Sequence, residues 1–357
     1  MTESEARQPR PTLADVARLA GVSKSTASYA YSQPSRLSSA SLERVLDAAQ
    51  KLGFTGPSGL GRQLASGRSH VIAVVTAMLT DPASDDRFSL QVLEGLMREL
   101  ANLGYGALVV PPASSEQSAA LLRDLAYDGA ICIRRRSHHY ETNEILESRG
   151  VPTLQLDGNS EDDVAMLLED SEAISAIVRR LRDDGHERIA TVSLFFDRNE
   201  LRSGIQPMEE ALRAKPAAVR SRLAGFVRAG VVPSAVFECA GVSREDGYEA
   251  GRALLTEAER PTAIVCQADV LAVGVIDAAR DLGLSVPEDL SVSGFDALTG
   301  APYDALDLTS VDHSPLERGG AVARWIVARA EGRVAPRSPI PTTVRWGTTT
   351  GPAPKSV

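Results

Sequence analysis

The sequence predicts an α/β protein in two parts: a head of three short helices, and a larger body of two lobes built on parallel sheets. Three observations predict it. Residues 12–53 carry helical apolar periodicity, broken by glycine and capped by serine or threonine. From residue 70 onward, short apolar runs alternate with amphipathic stretches, the pattern of parallel β-α units. Those runs fall into two groups of four, which implies two similar lobes.

In the head, residues 1–10 read as a disordered tail. Thr12-Leu-Ala-Asp15 has the form of a capping box. Leu13, Val16, Ala17 and Ala20 then give one helical face, and Gly21 ends it. Ser23 is the N-cap expected for a second helix over 24–31. Ser38 or Ser39 caps a third, whose stripe is Leu42, Val45, Ala49 and Leu52, and Gly53 closes it. Three short helices with a tight glycine turn between the first two form a helix-turn-helix pattern over 11–56. Residues 57–69 follow as a linker.

In the body, strands are expected at 71–75, 107–110, 130–133 and 153–156, and again at 189–193, 235–239, 263–266 and 291–295. Helices are expected at 90–103, 172–182, 247–255, 270–282 and 315–331. Residues 195–221 break the rhythm with Gly204, Pro207 and Pro216, and read as an irregular insertion. Residues 351–357 read as a loose tail.

Composition narrows the function. The chain has 357 residues, enough for two or three cores, with the 43% hydrophobic and 24% charged content of a soluble globular protein. No apolar run reaches the roughly 18–20 residues that span a bilayer, and 1–11 has no apolar leader segment. Cys132, Cys239 and Cys266 are few and far apart, which fits a reducing cytoplasm rather than a disulfide framework. Net charge is −9, but it is unevenly spread. Residues 1–70 hold nine Lys/Arg and five Asp/Glu, and the rest holds 29 and 42. A basic head on an acidic body fits one end meeting phosphates.

Enzyme motifs are missing: no phosphate-binding loop, no dinucleotide glycine fingerprint and no nucleophile elbow. His138-His139 has no further ligand at metal-binding spacing. No catalytic residue, metal or cofactor is expected. A solute-binding protein without DNA function is the alternative that the body alone would allow; the head and the missing leader argue against it.

The run from Thr12 to Ser28, Thr-Leu-Ala-Asp-Val-Ala-Arg-Leu-Ala-Gly-Val-Ser-Lys-Ser-Thr-Ala-Ser, resembles the signature of the lac repressor (LacI/GalR) family of regulators. The likeness continues at Glu43-Arg-Val-Leu46, Leu52-Gly-Phe54, Gly67-Arg-Ser69 and Gly185-His-Glu-Arg-Ile-Ala190. It goes on at Pro287-Glu-Asp-Leu-Ser-Val-Ser-Gly-Phe-Asp296 and Leu308-Thr-Ser-Val311. That resemblance implies a helix-turn-helix head, a hinge helix within 57–69, and a two-lobed periplasmic-binding-protein-like sensor over 70–350. Lobe 1 would take about 70–160 and 313–342, and lobe 2 about 161–312 and 343–350. It also implies a homodimer on double-stranded operator DNA, with no membrane partner. After Val311 the chain offers one helix, at 315–331, then a Pro-rich strand and tail, and no tetramerising heptads, so a dimer is the expected assembly.

By the same resemblance, Lys24, Ser25 and Tyr29 read bases in the major groove, while Thr12, Leu13, Thr26, Ser28 and Ser38 fix the head on phosphates. Tyr29 stands where the family often has Arg, which alone can fork onto guanine. Leu64 holds the position of a minor-groove wedge and Arg62 that of a backbone contact. Ser58 replaces the usual Asn, Gly59 and Gly61 replace alanine-like residues, and Gly56 looks like an extra residue; together they predict a hinge less ordered off DNA.

Ligands of open α/β sheets bind beyond the carboxyl ends of strands. Asp157, Asp269 and Asp296 stand at such ends, and carboxylates there suit hydroxyl-rich or amine-bearing effectors. Asp269 reads first as the N-cap of a helix starting at Val270 and second as an effector contact, while Asp157 reads equally as an effector contact and as a solvated loop residue. Arg222 and Phe88 match the family's effector-contacting arginine and pocket aromatic. Ala268, Ala297 and Val242 replace an Asn or Ser, a second Asp and an aromatic, so the effector is taken no further than a sugar or related small metabolite.

Overall fold

Local capping sets the ends of the head helices. The computed structural model describes residues 11–56, 63, 67–76, 87–133, 140–156, 170–197, 200–335 and 340–355. Helix α1 (Leu13–Ala20) starts at Thr12, whose hydroxyl accepts from the Asp15 amide at 3.4 Å while the Asp15 carboxylate accepts from the Thr12 amide at 2.9 Å. Gly21, at φ 64°, closes it in the left-handed region, where a side chain would be strained. Helix α2 (Lys24–Ser32) starts at Ser23, which accepts from the Thr26 amide at 3.0 Å. Helix α3 (Ser39–Leu52) runs from the Ser38 cap to Gly53. Small buried residues, among them Ala17, Ala27, Ala30 and Ala48 around Val16 and Val45, let the three helices approach closely. The chain to His70 is one compact unit, and the chain from Val71 is another.

The second unit contains two sheets. The first has the order β2-β1-β3-β4, all parallel, from β1 (Val71–Val75), β2 (Gly106–Val110), β3 (Gly129–Cys132) and β4 (Thr153–Gln155). Its helices are α4 (Arg87–Asn102), α5 (Glu116–Asp124) and α6 (Tyr140–Ser148). The second contains β5 (Ile189–Ser193), β6 (Gly204–Gln206), β7 (Val236–Glu238), β8 (Ala263–Cys266), β9 (Ser291–Phe295), β10 (Thr309–Asp312) and β11 (Thr343–Arg345), ordered β11-β10-β9-β8-β5-β7-β6. Helices α7 (Asp170–Asp183) and α9 (Ala217–Arg228) pack on the face that carries Ile189, Val265 and Phe295. Helices α10 (Arg244–Leu255) and α11 (Asp269–Asp281) cover the other face, with Val192, Cys266 and Val292.

The expectation of four strands per lobe is corrected in the second sheet. Strands β6 and β10 lie outside the expected set, β11 is the Pro-rich strand expected after the helix at 315–331, and β6 and β11 are antiparallel edges of three residues each. The segment 195–221 is likewise not simply irregular: it holds β6, the short helix α8 (Met208–Ala211) and the start of α9. The tail also differs from a loose end. The Ala353 amide donates to Asp184 at 2.8 Å, and the Gly351 carbonyl lies 3.0 Å from His186 Nε2.

The chain crosses between lobes after the short helix α12 (Tyr303–Leu306) and β10. Helix α13 (Pro315–Ala330) packs on α4 in the first-lobe core, where Val322 and Ile326 join Ile72 and Leu96; Ile340 lies in the same cluster before β11 rejoins the second sheet. Among the described residues, no helix is long and apolar enough to cross a membrane.

Candidate nucleic-acid interface and interlobe site

Helix α2 is amphipathic by size rather than by charge. Ala27 and Ala30 are buried, leaving Lys24 and Ser25 exposed, Thr26 and Ser28 half-buried and Tyr29 37% exposed on its outer side. The Ser23 hydroxyl reaches Ser25 Oγ at 2.8 Å and Thr26 Oγ1 at 2.7 Å, so the cap that starts the helix also orients its first hydroxyls. The Arg36 guanidinium lies 5.5 Å from the centre of the Tyr29 ring. Thr12 and Ser38 are the exposed caps of α1 and α3, and half-buried Leu13 is the first residue of α1. Helix N-termini present unpaired amides and a positive dipole end, which suits phosphate oxygens. Arg62 and Leu64 lie outside the described residues.

The interlobe site is built at the carboxyl ends of β8, β9 and β10. Phe88, near the start of α4, stacks on His313 with ring centres 5.1 Å apart and planes 12° apart. His313 is fully buried just after β10, with the Phe295 ring 5.0 Å away on another side. Its Nε2 lies 3.0 Å from Asp296 Oδ1. Asp296 follows β9 at φ 121°, a strained position for a non-glycine residue, held by its amide, which donates to the Val311 carbonyl at 2.9 Å. Arg222, buried on α9, donates from Nε to Asp170 Oδ2 at 3.1 Å and from Nη1 to the Gln267 carbonyl. Its guanidinium sits 3.6 Å over the Phe295 ring. Phe88, Arg222 and Asp296 therefore converge through His313 and Phe295.

Asp269 corrects the capping alternative. The N-cap of α11 is Ala268, and Asp269 is its first residue. Its fully buried carboxylate accepts from the Leu298 amide at 2.7 Å and from Ser310 Oγ, bracing the loop after β9 against β10. Gly294 makes room for it, because a Cβ there would lie 2.1 Å from Asp269 Oδ1. Asp157 lies outside the described residues. Sequence reading missed Asp170, Gln267, Phe295 and His313; the usable signal was a polar residue directly after an apolar run, as Gln267 follows β8.

Burial, then the Asp296 charge, pushes the Asp269 carboxyl up to about 7. Burial, then the Arg318 and Arg222 guanidinium groups, pushes His313 down to about 3, so its ring is neutral. A neutral ring beside a carboxylate places its proton on Nε2 and leaves Nδ1 as an acceptor. The two shifts oppose each other. Folding takes up a proton at Asp269 between about pH 4 and 7, so that group costs stability as pH rises. Folding expels a proton from His313 between about pH 3 and 6.5, so that group costs stability as pH falls. Urea unfolding between about pH 4.5 and 6.5 is therefore expected to show, relative to wild type, a gain in stability with pH in Asp269→Asn and a loss with pH in His313→Gln. Parallel profiles in the two variants would contradict this assignment.

Among the described residues, no group of three or more His, Cys, Asp or Glu could hold a metal ion.

Residues 12–56 match the family described as bacterial regulatory proteins, lacI family, and 178–350 match a periplasmic binding protein-like domain. The HTH-type transcriptional regulator IpsA of Corynebacterium glutamicum is 30% identical over 318 residues, covering 85% of this chain and 87% of that protein. The ribose operon repressor of Escherichia coli K12 is 27% identical over 319 residues, covering 87% and 90%. A crystal structure of a LacI-family transcriptional regulator from Corynebacterium glutamicum superposes with TM-score 0.65 at 25% identity, covering 96% of this chain and 100% of that one. The lac repressor dimer bound to operator and the anti-inducer ONPF shares the fold, with TM-score 0.72 at 24% identity over 96% and 99%.

Proposed function

The chain belongs to the lacI family of bacterial regulatory proteins, and from that membership we propose that it is a cytoplasmic, homodimeric, sequence-specific DNA-binding repressor whose operator affinity is set by a small molecule between its two lobes. The observation that carries the reading is the coexistence of a capped helix-turn-helix head with a second unit whose Phe88, Arg222 and Asp296 converge at the strand ends. Lys24, Ser25 and Tyr29 contact base edges; Thr12, Leu13, Thr26, Ser28 and Ser38 position the head on phosphates. Arg62 and Leu64 act in the hinge, Arg62 on the backbone and Leu64 as a minor-groove wedge.

In the second unit, Phe88, Asp157, Arg222 and Asp296 contact the effector, a sugar or related metabolite. Asp269 acts behind them by holding the loop that carries Asp296. Effector binding changes the lobes' closure and shifts the DNA-competent population. The test is selection of bound duplexes from a random pool by the purified chain, where a pseudo-palindrome with half-sites one helical turn apart is expected. A solute-binding role without DNA is disfavoured by the match over 12–56.

A further inference from the structure

We infer that Gln267 reads the effector through its side-chain amide, and that the effector carries an adjacent donor and acceptor on one edge, supplied either by vicinal hydroxyls of a sugar or by a nucleobase. The inference rests on the interlobe reading above and narrows its ligand class.

Gln267 is 1% exposed, at the carboxyl end of β8. Its backbone is fully engaged: the amide donates to Val192 at 2.8 Å, and the carbonyl accepts from Arg222 Nη1. Its side chain is not. Neither Oε1 nor Nε2 has a hydrogen-bond partner among the described residues. A buried polar group left unpaired bears its desolvation cost without compensation, and a leucine of similar volume would avoid that cost. An amide kept in such a place calls for a partner that the described residues do not provide.

Strand register shows which side the amide faces. Val192 pairs with Cys266 and Val265 pairs with Ser293. Continuing both ladders puts Ser193, Gln267 and Phe295 in one row, and strand alternation puts their side chains on one face. That is the face covered by α7 and α9. Ser193 is fully buried there, and its hydroxyl also has no partner among the described residues. Arg222 lies over Phe295, and the second oxygen of its partner Asp170 is likewise unpartnered. The next residue, Ala268, belongs to the apolar cluster on the opposite face. Amide, hydroxyl, carboxylate oxygen and guanidinium thus gather at one end of the sheet, where open α/β folds take ligands. A glutamine amide offers C=O and N–H side by side, so it pairs with two adjacent hydroxyls or with a ring edge of alternating donor and acceptor.

The test is calorimetric titration of the full chain with ribose, adenine and adenosine, with ligand-free unfolding midpoints measured alongside. Wild type is expected to bind at least one probe; ribose without adenine marks the hydroxyl source, and adenine without ribose marks the base. Gln267→Leu is expected to weaken that probe at least ten-fold while raising the ligand-free midpoint. Gln267→Glu, which keeps an acceptor and removes the donor, is expected to weaken it too, and serves if the leucine variant fails to fold. Wild-type affinity in both variants overturns the role of Gln267, and a wild type that binds none of the three overturns the ligand class. Intact binding in Gln267→Leu with loss in Asp296→Asn removes only this inference, whereas intact binding in both removes the interlobe site.

Discussion

Gly319→Ala is expected to lower the unfolding midpoint of the second unit by about 5 °C, a large effect for one methyl group. Helices α4 and α13 approach so closely that a Cβ on Gly319 would lie 2.0 Å from the Val92 carbonyl oxygen, 2.6 Å from the Leu96 amide and 3.0 Å from the Gly95 carbonyl carbon. All three are helix backbone, which cannot rotate aside. The reciprocal contact is equally tight, with a Cβ on Gly95 falling 1.9 Å from the Leu316 carbonyl oxygen. Added methyl groups in packed cores cost up to about 3 kcal/mol when the neighbours are rigid. Gly320→Ala is the control. There a Cβ would meet only Arg324 Nη1 at 3.3 Å and Glu99 Cβ at 3.8 Å, and the arginine can move. That variant is expected to be neutral or stabilised by up to about 1 kcal/mol of helix propensity. Equal midpoints for the two variants, measured by thermal unfolding, would refute the close packing of these helices.

The second large effect concerns Arg222. Its side chain is 7% exposed and that of its partner Asp170 is 3% exposed. Arg222→Leu leaves a buried carboxylate without its counter-charge, and breaking such pairs costs about 3–5 kcal/mol. It also removes the guanidinium from over Phe295, so effector binding is expected to be lost. The double variant Arg222→Leu/Asp170→Asn removes both charges and is expected to recover most of the stability but none of the effector binding. Urea unfolding with calorimetry separates the two consequences. A single variant as stable as wild type would show that the pair does not brace α7 against α9. A double variant that still binds effector would remove Arg222 from the site.

Legibility in the sequence followed the range of the interactions involved. The caps at Thr12, Ser23 and Ser38 and the glycine stops at Gly21 and Gly53 act within one helical turn, and they read correctly. Strands β1, β5, β8 and β9 are unbroken apolar or small-residue runs, buried on both faces, and their bounds were read correctly. Strand β10 was invisible because it is Thr-Ser-Val-Asp. Its hydroxyls are tolerated only because Thr309 Oγ1 donates to Gly347 and Ser310 Oγ to Asp269, partners 38 and 41 residues away. Missing β10 hid His313, the residue at its end. The same distance misled the capping alternative at Asp269, whose other partner, Leu298, lies 29 residues on. Arg222 was placed beside an irregular insertion, whereas it projects from a regular helix. Gln267 is legible only as a polar residue directly after an apolar run; that its amide has no partner among the described residues depends on packing that the run does not encode.

The selection of bound duplexes, repeated with Lys24→Ala, tests the central claim most directly. The account predicts that wild type enriches a pseudo-palindromic site, and that the variant loses both affinity for it and preference at the bases nearest the helix N-terminus. Enrichment of no sequence by wild type, or an identical site and affinity with Lys24→Ala, would contradict the reading of α2 as the element that recognises DNA.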